Sequence, residues 1–475
     1  MPQLPTQIMA TATGLKPNDI ITDRKGTQYK VIEKLGEGSQ ASVWKVKEQG
    51  KPFGKEYAAK YYKPNDCPKG VQNNITFMVE NPIVDNNGNR LENVITPNAV
   101  VDYPDGGFGY IMDLVDTKSF IQILDSFNSA ALRPNLRAIC KIAKNLGNFY
   151  KAVHLQGFAY KDLSEANVRF DPRTGEIVVM DMDNTGPAET KTVLGTGRFI
   201  APELRSKEMD APDFRSDDFA FAVYLYRLLI GGFPLEGSGI EPYLDEHDCC
   251  FEDVMHILLG SKALYVWHST DHSNTIEGQK SDIWDIQAKR YHALHPRIRE
   301  LFTRCFETGL KNRAERPQPE EWLKAFDEIE KDLVQCDHKK HTGTRFRFGK
   351  AERCYACLTE TKVGAPAATL TVRILSAGLP EKKITVTHRS VFKGSDVSPL
   401  LPPGNLFSAI YSPNDRAFII MNLSSLTWTL HDLDQQGKVI KSVPAPPKQQ
   451  MYLRENRIVS FIPQKVNLRF YRIDY

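Results

Sequence analysis

Three groups of residues have the types and spacing to do chemistry. In Y-K-D-L-S-E-A-N at 160 to 167, Asp162 and Asn167 place a carboxylate and a carboxamide five positions apart, groups able to take a proton or help hold a cation. In L-G-E-G-S-Q-A-S-V at 35 to 43, Gly36 and Gly38 let backbone N–H groups approach phosphate oxygens. To the same group belongs Y-A-A-K at 57 to 60, which ends a strand on Lys60, where an inward-facing ammonium needs an anion. Each feature also has a plainer explanation: Asp and Asn are common in loops, glycine marks turns, and a lysine can snorkel to an edge. The third group is C-x2-C at Cys354 and Cys357 with Cys336, His338 and His341 upstream. Two thiolates on one tight turn, joined by a Cys and a His, make a closed tetrahedral zinc set of the structural kind. Cys336, His341, Cys354 and Cys357 are the expected ligands, with His338 the rival for the second position.

The 475 residues exceed the size at which one core stops growing, so two or three domains are expected. Hydrophobic residues at 41% and charged residues at 25% fit a soluble globular protein, and a net charge of +3 is too small to argue for nucleic acid. No run of about 18 apolar residues occurs, and residues 1–18 lack the basic start and apolar stretch of a secretory signal, so no membrane association is expected. Cys67, Cys140, Cys249, Cys250 and Cys305 have no regular spacing, which points to reduced thiols and a cytoplasmic location.

Residues 28–63 alternate apolar and polar, broken at Gly36, Gly38 and Gly50, and read as three antiparallel strands. Apolar spacings of three and four predict helix within 120–155, and again over 217–230 and 296–333. The stretch 217–230 is apolar nearly all round, as a buried central helix would be. Residues 366–475 carry strand-like runs such as L-T-V-R-I-L and A-F-I-I-M between Pro, Gly, Asn and Asp, and predict a separate all-β domain without internal repeats.

The order of glycine loop, strand lysine and Asp-x4-Asn resembles the protein kinase family. Four further stretches fit that resemblance. V-V-M-D-M-D at 178 to 183 stands where the family has its metal-binding D-F-G, and G-T-G-R-F-I-A-P-E at 195 to 203 matches the end of the activation segment. R-S-D-D-F-A-F-A-V at 215 to 223 matches the start of the buried helix, and N-R-A-E-R-P at 312 to 317 supplies Arg316 as the partner of Glu203.

The resemblance implies ATP and Mg2+ as cofactors. Gly36, Gly38, Ala41, Val43 and Lys60 would cradle the triphosphate, Asn167 and Asp181 would hold magnesium, and Asp162 would take the proton of the attacking hydroxyl. Met112 would back the adenine, with the backbone of Asp113 and Val115 reading its edge. Lys161 would be a partner for a phosphorylated activation segment, with Thr185, Thr190, Thr192 and Thr196 the candidate autophosphorylation sites. The departures are Ala41 for the third loop glycine, Tyr160 for the usual histidine, Ser164 for a lysine near the transferred phosphate, and Asp183 for the glycine of D-F-G. The helix glutamate that should pair with Lys60 has no clear counterpart, Gln72 and Glu80 being the positions nearest to hand.

M-D-M-D with G-T-G-R-F-I-A-P-E also resembles bacterial Ser/Thr-type kinases of tellurium-resistance and stress clusters. That likeness implies a bacterial cytosol, a protein substrate, and a cognate phosphatase and a von Willebrand-type metal-binding protein as partners. The expected fold is α+β: a two-lobed kinase-like domain, a zinc knuckle and a C-terminal all-β sandwich. The expected segments are an N-terminal extension (1–27), an N-lobe (28–115), a C-lobe (116–335), a zinc element (336–360) and the β-domain (366–475), which faintly resembles a degenerate forkhead-associated fold without its phosphopeptide-binding motifs. Two other functions fit the same residues: an ATP-binding pseudokinase scaffold, and a kinase-like enzyme that transfers another group.

Overall fold

The strand E-Y-A-A-K-Y-Y sets the architecture of the first half, because its alternation sends Ala59 and Tyr61 to one face and Lys60 and Tyr62 to the other. The computed structural model describes residues 14–38, 40–51, 54–85, 87–91, 93–116, 118–188, 195–240, 242–243, 256–336, 346–351, 353–358, 369–386, 390–412, 417–434, 436–453, 457–462 and 465–474. These fall into two compact units, 1–359 and 360–475.

In the first unit β1 (Ile20–Thr22), β2 (Gln28–Glu37), β3 (Ala41–Glu48), β4 (Glu56–Tyr62), β5 (Pro97–Asp102) and β6 (Phe108–Asp113) form one sheet in the order β1-β2-β3-β4-β6-β5. The sheet therefore takes in Ile20–Thr22, paired with β2 through Ile21 and Tyr29, from the stretch read as an extension. One face buries Val31, Trp44, Ala59, Tyr61 and Ile111 in a small core of its own. Tyr62, Phe108 and Tyr110 on the other face join the main core, as does helix α1 (Lys69–Glu80) through Val71, Ile75 and Met78.

The main core is helical. Helix α2 (Leu136–Leu155) starts where Asn135 accepts hydrogen bonds from the N–H groups of Arg137 and Ala138, so the expected helix over 120–155 is confined mostly to its second half by Pro134. Helix α3 (Phe214–Ile230) is capped by Asp213 and Ser216, ends on Gly231 in a left-handed conformation (φ 93°), and is buried all round. Short strands β7 (Phe158–Ala159), β8 (Val168–Phe170), β9 (Ile177–Val179) and β10 (Gly186–Pro187) lie between α2 and α3 in sequence. Downstream come α4 (Asp282–His292), α5 (Pro296–Thr303) and α6 (Pro319–Lys331).

The single helical stretch expected over 296–333 is thus broken. Pro317 and Pro319 cannot continue a helix, and the turn between α5 and α6 points Arg316 inward. The Arg316 side chain is fully buried and forks onto Glu203 with two 2.8 Å hydrogen bonds, while Arg313 Nε adds a third at 2.9 Å. Strands β11 (Leu333–Gln335) and β12 (Phe346–Phe348) close the unit, with Phe348 in the main core.

The second unit is a β-sandwich. Strands β13 (Thr369–Ser376), β14 (Lys382–Val386), β15 (Val391–Lys393), β16 (Asn405–Ser412), β17 (Ala417–Asn422), β18 (Trp428–Leu433), β19 (Val439–Ala445), β20 (Gln450–Leu453), β21 (Arg457–Ile462) and β22 (Val466–Asp474) form two sheets, ordered β14-β13-β22-β21-β18-β19 and β15-β16-β17-β20. Val372, Trp428, Val459 and Phe461 from the first pack with Phe407, Ala409, Phe418 and Ile420 from the second. The stretch M-N-L-S-S-L-T-W is a polar clamp on the β17–β18 turn: buried Asn422 donates to the carbonyls of Leu426 and Ala445 and accepts from Ser424, whose hydroxyl takes the Trp428 N–H. Asn422 and Ser424 are therefore committed to holding a turn. Among the described residues no helix is long and apolar enough to cross a membrane.

Removing the fork on Glu203 strands a buried carboxylate. Arg316→Ala is expected to cost on the order of 3–5 kcal/mol, read as a lower urea midpoint for the first unit; an unchanged midpoint would refute the structural role of this pair.

Candidate active site

Antiparallel register places Tyr110 of β6 directly opposite Lys60 of β4, with Met112 opposite Ala58 and Val43 of β3 on the other side of Lys60. Lys60 and Tyr62, two residues apart on one face, and Tyr110 all converge on the segment that follows β9. Lys60 Nζ lies 2.8 Å from Asp181 Oδ1 and 2.6 Å from Asp183 Oδ2. The hydroxyls of Tyr62 and Tyr110 donate to the same Asp183 carboxylate. The two acids differ in access: the Asp181 side chain is 40% exposed and that of Asp183 only 4%. Burial by itself would lower the Lys60 ammonium, but Tyr110, Asp183 and Asp181 outweigh it and hold the group well above its ordinary range. Asp181 adopts a left-handed φ of 58° to make this turn.

The octet at 160–167 is pinned to α3. Asp217, buried in the helix's first turn, accepts the backbone N–H of Tyr160 at 2.7 Å and of Lys161 at 2.9 Å, and lies 3.1 Å from His154 Nε2. The Tyr160 hydroxyl, where the resembled family has a histidine, donates to the Met180 carbonyl at 2.7 Å, tying the octet to the Asp181 segment. A second tie runs from the Met180 N–H to the Asn167 carbonyl at 2.8 Å. Asn167 donates its amide to the Asp162 carbonyl at 2.8 Å, so its side-chain oxygen is the atom suited to a cation. Asp162 itself is gripped at both oxygens, by the Thr196 hydroxyl at 2.5 Å and by Asn184 Nδ2 at 3.2 Å. Burial raises its carboxyl, and the Thr196 hydrogen bond pulls it back only in part.

The glycine hairpin closes with Gly38 N–H donating to the Ala41 carbonyl at 2.8 Å; Ser39 lies outside the described residues. A Cβ at Gly36 would meet nothing, one at Gly38 only the Ala41 carbonyl at 3.5 Å, and neither residue has a left-handed φ. At the far end of β6 the Asp113 side chain is taken by Lys55 at 2.7 Å, leaving only backbone for a ligand, and Val115 follows two residues later.

Several expectations need correction. Lys161 is buried, and its ammonium donates to the Pro187 carbonyl of the activation segment at 2.8 Å. Thr185 is fully buried, and the Thr196 hydroxyl is engaged by Asp162, while Thr190 and Thr192 lie outside the described residues. Neither position offered for a glutamate partner meets Lys60, since Gln72 donates to the Cys67 carbonyl and Glu80 sits exposed at the end of α1. Asp183 with Tyr62 and Tyr110 takes that place. The doubled tyrosine after Lys60, in register with a third, is the sequence signal that went unused.

The Cys336, Cys354 and Cys357 sulfurs lie within 4.8 Å of one another, with Cys336 Sγ 3.4 Å from Cys354 Sγ and 4.0 Å from Cys357 Sγ. His341 and His338 lie outside the described residues. Within the knuckle, Tyr355 donates its hydroxyl to the Leu229 carbonyl at the end of α3, 2.6 Å away. A cavity of about 670 Å³ lies between α2 and α6 against Lys141, Lys144, Asp327 and Glu330 and shares no residue with the site.

The protein kinase domain family model matches residues 29–325, well over half of the chain, and this chain belongs to that family. It is similar to the serine/threonine-protein kinase pkn3 of Myxococcus xanthus, 29% identical over 157 residues that cover 30% of this chain and 27% of that one. It is also similar to the serine/threonine-protein kinase PkaA of Streptomyces coelicolor, 22% identical over 244 residues, 47% of this chain and 42% of that one. A probable serine/threonine-protein kinase of Corynebacterium efficiens is 37% identical over 94 residues, 18% of this chain and 14% of that one. The chain spans less than half the length of each of these relatives. Among solved structures it is similar to the autoinhibited serine kinase domain of titin, with a TM-score of 0.46 and 16% identity, covering 62% of this chain and 80% of that one.

Burial pushes the Lys161 ammonium down to about 8, against a pull upward from Asp217. Between that value and the ordinary lysine range the unfolded chain binds the proton and the folded chain does not, so stability rises with pH across this window. Lys161→Met abolishes that rise. Wild type is expected to gain on the order of 2 kcal/mol on the variant between pH 7 and pH 10, measured as the difference in chemical-denaturation free energy; a difference independent of pH would show the ammonium to be fully solvated.

Proposed function

We propose that this chain is a protein kinase that transfers the γ-phosphoryl group of ATP, with magnesium, to serine or threonine hydroxyls. The observation that carries the reading is the grip on Asp162. A carboxylate held at both oxygens by Thr196 and Asn184, on a loop pinned to α3 by Asp217, is a proton acceptor of fixed direction. The donor set around it suits a metal–triphosphate: the half-exposed Asp181 carboxylate and the Asn167 amide oxygen are hard ligands, and Lys60 is a buried cation. Gly36 and Gly38 support the same reading, because nothing in the chain's own packing demands glycine there and an approaching phosphate would.

Magnesium-bound ATP supplies the phosphoryl group and a screened leaving group. Lys60 would bind the phosphates, and the hairpin of Gly36 and Gly38 would lie over them. Asp162 orients the acceptor hydroxyl and takes its proton. Thr196, already bonded to Asp162, fixes the activation segment beside the acceptor. The missing lysine at Ser164, whose hydroxyl accepts the Asn167 N–H at 3.2 Å, favours as second reading a kinase-like enzyme that moves another group.

The resemblance at M-D-M-D supports a role in bacterial stress signalling, with a phosphatase and a von Willebrand-type protein as partners and autophosphorylation at Thr190 or Thr192. We assign structural zinc to Cys336, Cys354 and Cys357 with His341 or His338. Tyr355, between two of these cysteines, hydrogen-bonds Leu229 of the helical core, so metal loss is expected to loosen the first unit.

Intact-mass spectrometry after incubation with ATP, magnesium and a generic protein substrate tests the chemistry. Additions of about 80 Da mark phosphoryl transfer and about 329 Da adenylyl transfer, and both should vanish in Asp162→Ala. For the metal, one zinc per chain is expected by elemental analysis. Cys354→Ser or chelation should then lower the melting temperature by several degrees, on the order of 2 kcal/mol or more. A zinc-free protein with an unchanged melt would sink the assignment.

A further inference from the structure

Helix α1 offers Lys60 no counterion. Its one acidic residue, Glu80, sits exposed at the C-terminal end, and its buried positions are Val71, Asn74, Ile75 and Met78. Lys60 is nevertheless held, and the holding group comes from a different element. Asp183 receives the Lys60 ammonium and the Tyr62 hydroxyl on Oδ2 and the Tyr110 hydroxyl on Oδ1. Three donors from two neighbouring strands thus fix both oxygens of one buried carboxylate. The β4–β6 register makes this possible, since Lys60 faces Tyr110 across the ladder and Tyr62 follows on the same face.

We propose that Asp183 is the positioning residue that fixes the Lys60 ammonium for the nucleotide phosphates, a task that α1 does not perform in this chain. The inference rests on the nucleotide-binding part of the reading above. It divides the two acids of M-D-M-D by access. Asp181, well exposed, is left to the metal; Asp183 could reach one only by giving up three hydrogen bonds. It also moves control of Lys60. A shift of α1 leaves the ammonium where it is, whereas a backbone change at 181–183 removes its anchor. The segment just beyond is tied down in turn, by the Thr185 N–H on the Met182 carbonyl at 2.9 Å and by pairing of β10 with β7.

The test is a double-mutant cycle on nucleotide affinity in the full chain, read with fluorescent N-methylanthraniloyl-ATP and magnesium. In wild type, Lys60→Met should weaken binding by about tenfold or more. In an Asp183→Asn background the ammonium keeps only its contact with the more exposed Asp181 and loses its buried anchor, and the same substitution should cost less than about threefold. Asparagine keeps the volume, accepts one tyrosine hydroxyl on its Oδ1 and can donate its amide to the other, and thermal melts verify folding. Should Asp183→Asn not fold, Tyr62→Phe with Tyr110→Phe unseats the carboxylate without removing its charge and replaces it in the cycle. An equal cost of Lys60→Met in both backgrounds overturns the proposal. A restored grip from α1 would be revealed in the same way. Wild type that binds nucleotide but transfers nothing defeats the kinase reading while leaving the cycle readable, and wild type that binds no nucleotide overturns both.

Discussion

One buried carboxylate, Asp217, joins the octet at 160–167 to α3, a helix buried nearly all round. It accepts two successive backbone N–H groups from the octet and faces His154 from α2, so three pieces of chain are fixed relative to one another at a point water does not reach. Low local dielectric strengthens each of these bonds and makes their loss costly. The neighbouring turn repeats the device with opposite charge. Arg316 is buried against Glu203 and also donates to the Arg215 carbonyl, so the end of the activation segment is fastened to the same helix. The loop and the segment are therefore positioned by α3 before any ligand arrives.

Around Lys60 the chain solves a familiar electrostatic problem in its own way. A buried ammonium needs a fixed anion, and here the anion arrives from the strand end rather than from α1. The cost is a third carboxylate in a cleft that already holds Asp181 and Asp162, which the sheet offsets with two tyrosine hydroxyls. Family membership and local wiring are separate matters: the matched motifs define the fold, and the side chains between them decide which element controls the lysine.

Much of this was legible from residue order alone. The sheet, the buried helix, the Arg316–Glu203 pair and the change to all-β structure follow from periodicity and motif sequence, which reflect local geometry. The burial of Lys161 was not legible, because nothing in the sequence shows that Pro187 meets its ammonium. The 296–333 stretch has helical spacing but contains Pro317 and Pro319, and the break they impose is what turns Arg316 inward. Asp183 was noted only as an extra charge, because its meaning depends on strand register across β4 and β6.

The contacts at the two ends of α3 have a mechanical consequence. At its first turn the helix carries the octet through Asp217; at its last, Leu229 receives the Tyr355 hydroxyl from the cysteine knuckle. Seventeen residues at 1.5 Å each make a rod of about 25 Å. A closely packed rod of that length transmits a push better than it absorbs one. The cysteine knuckle and the octet thus lean on opposite ends of one stiff strut.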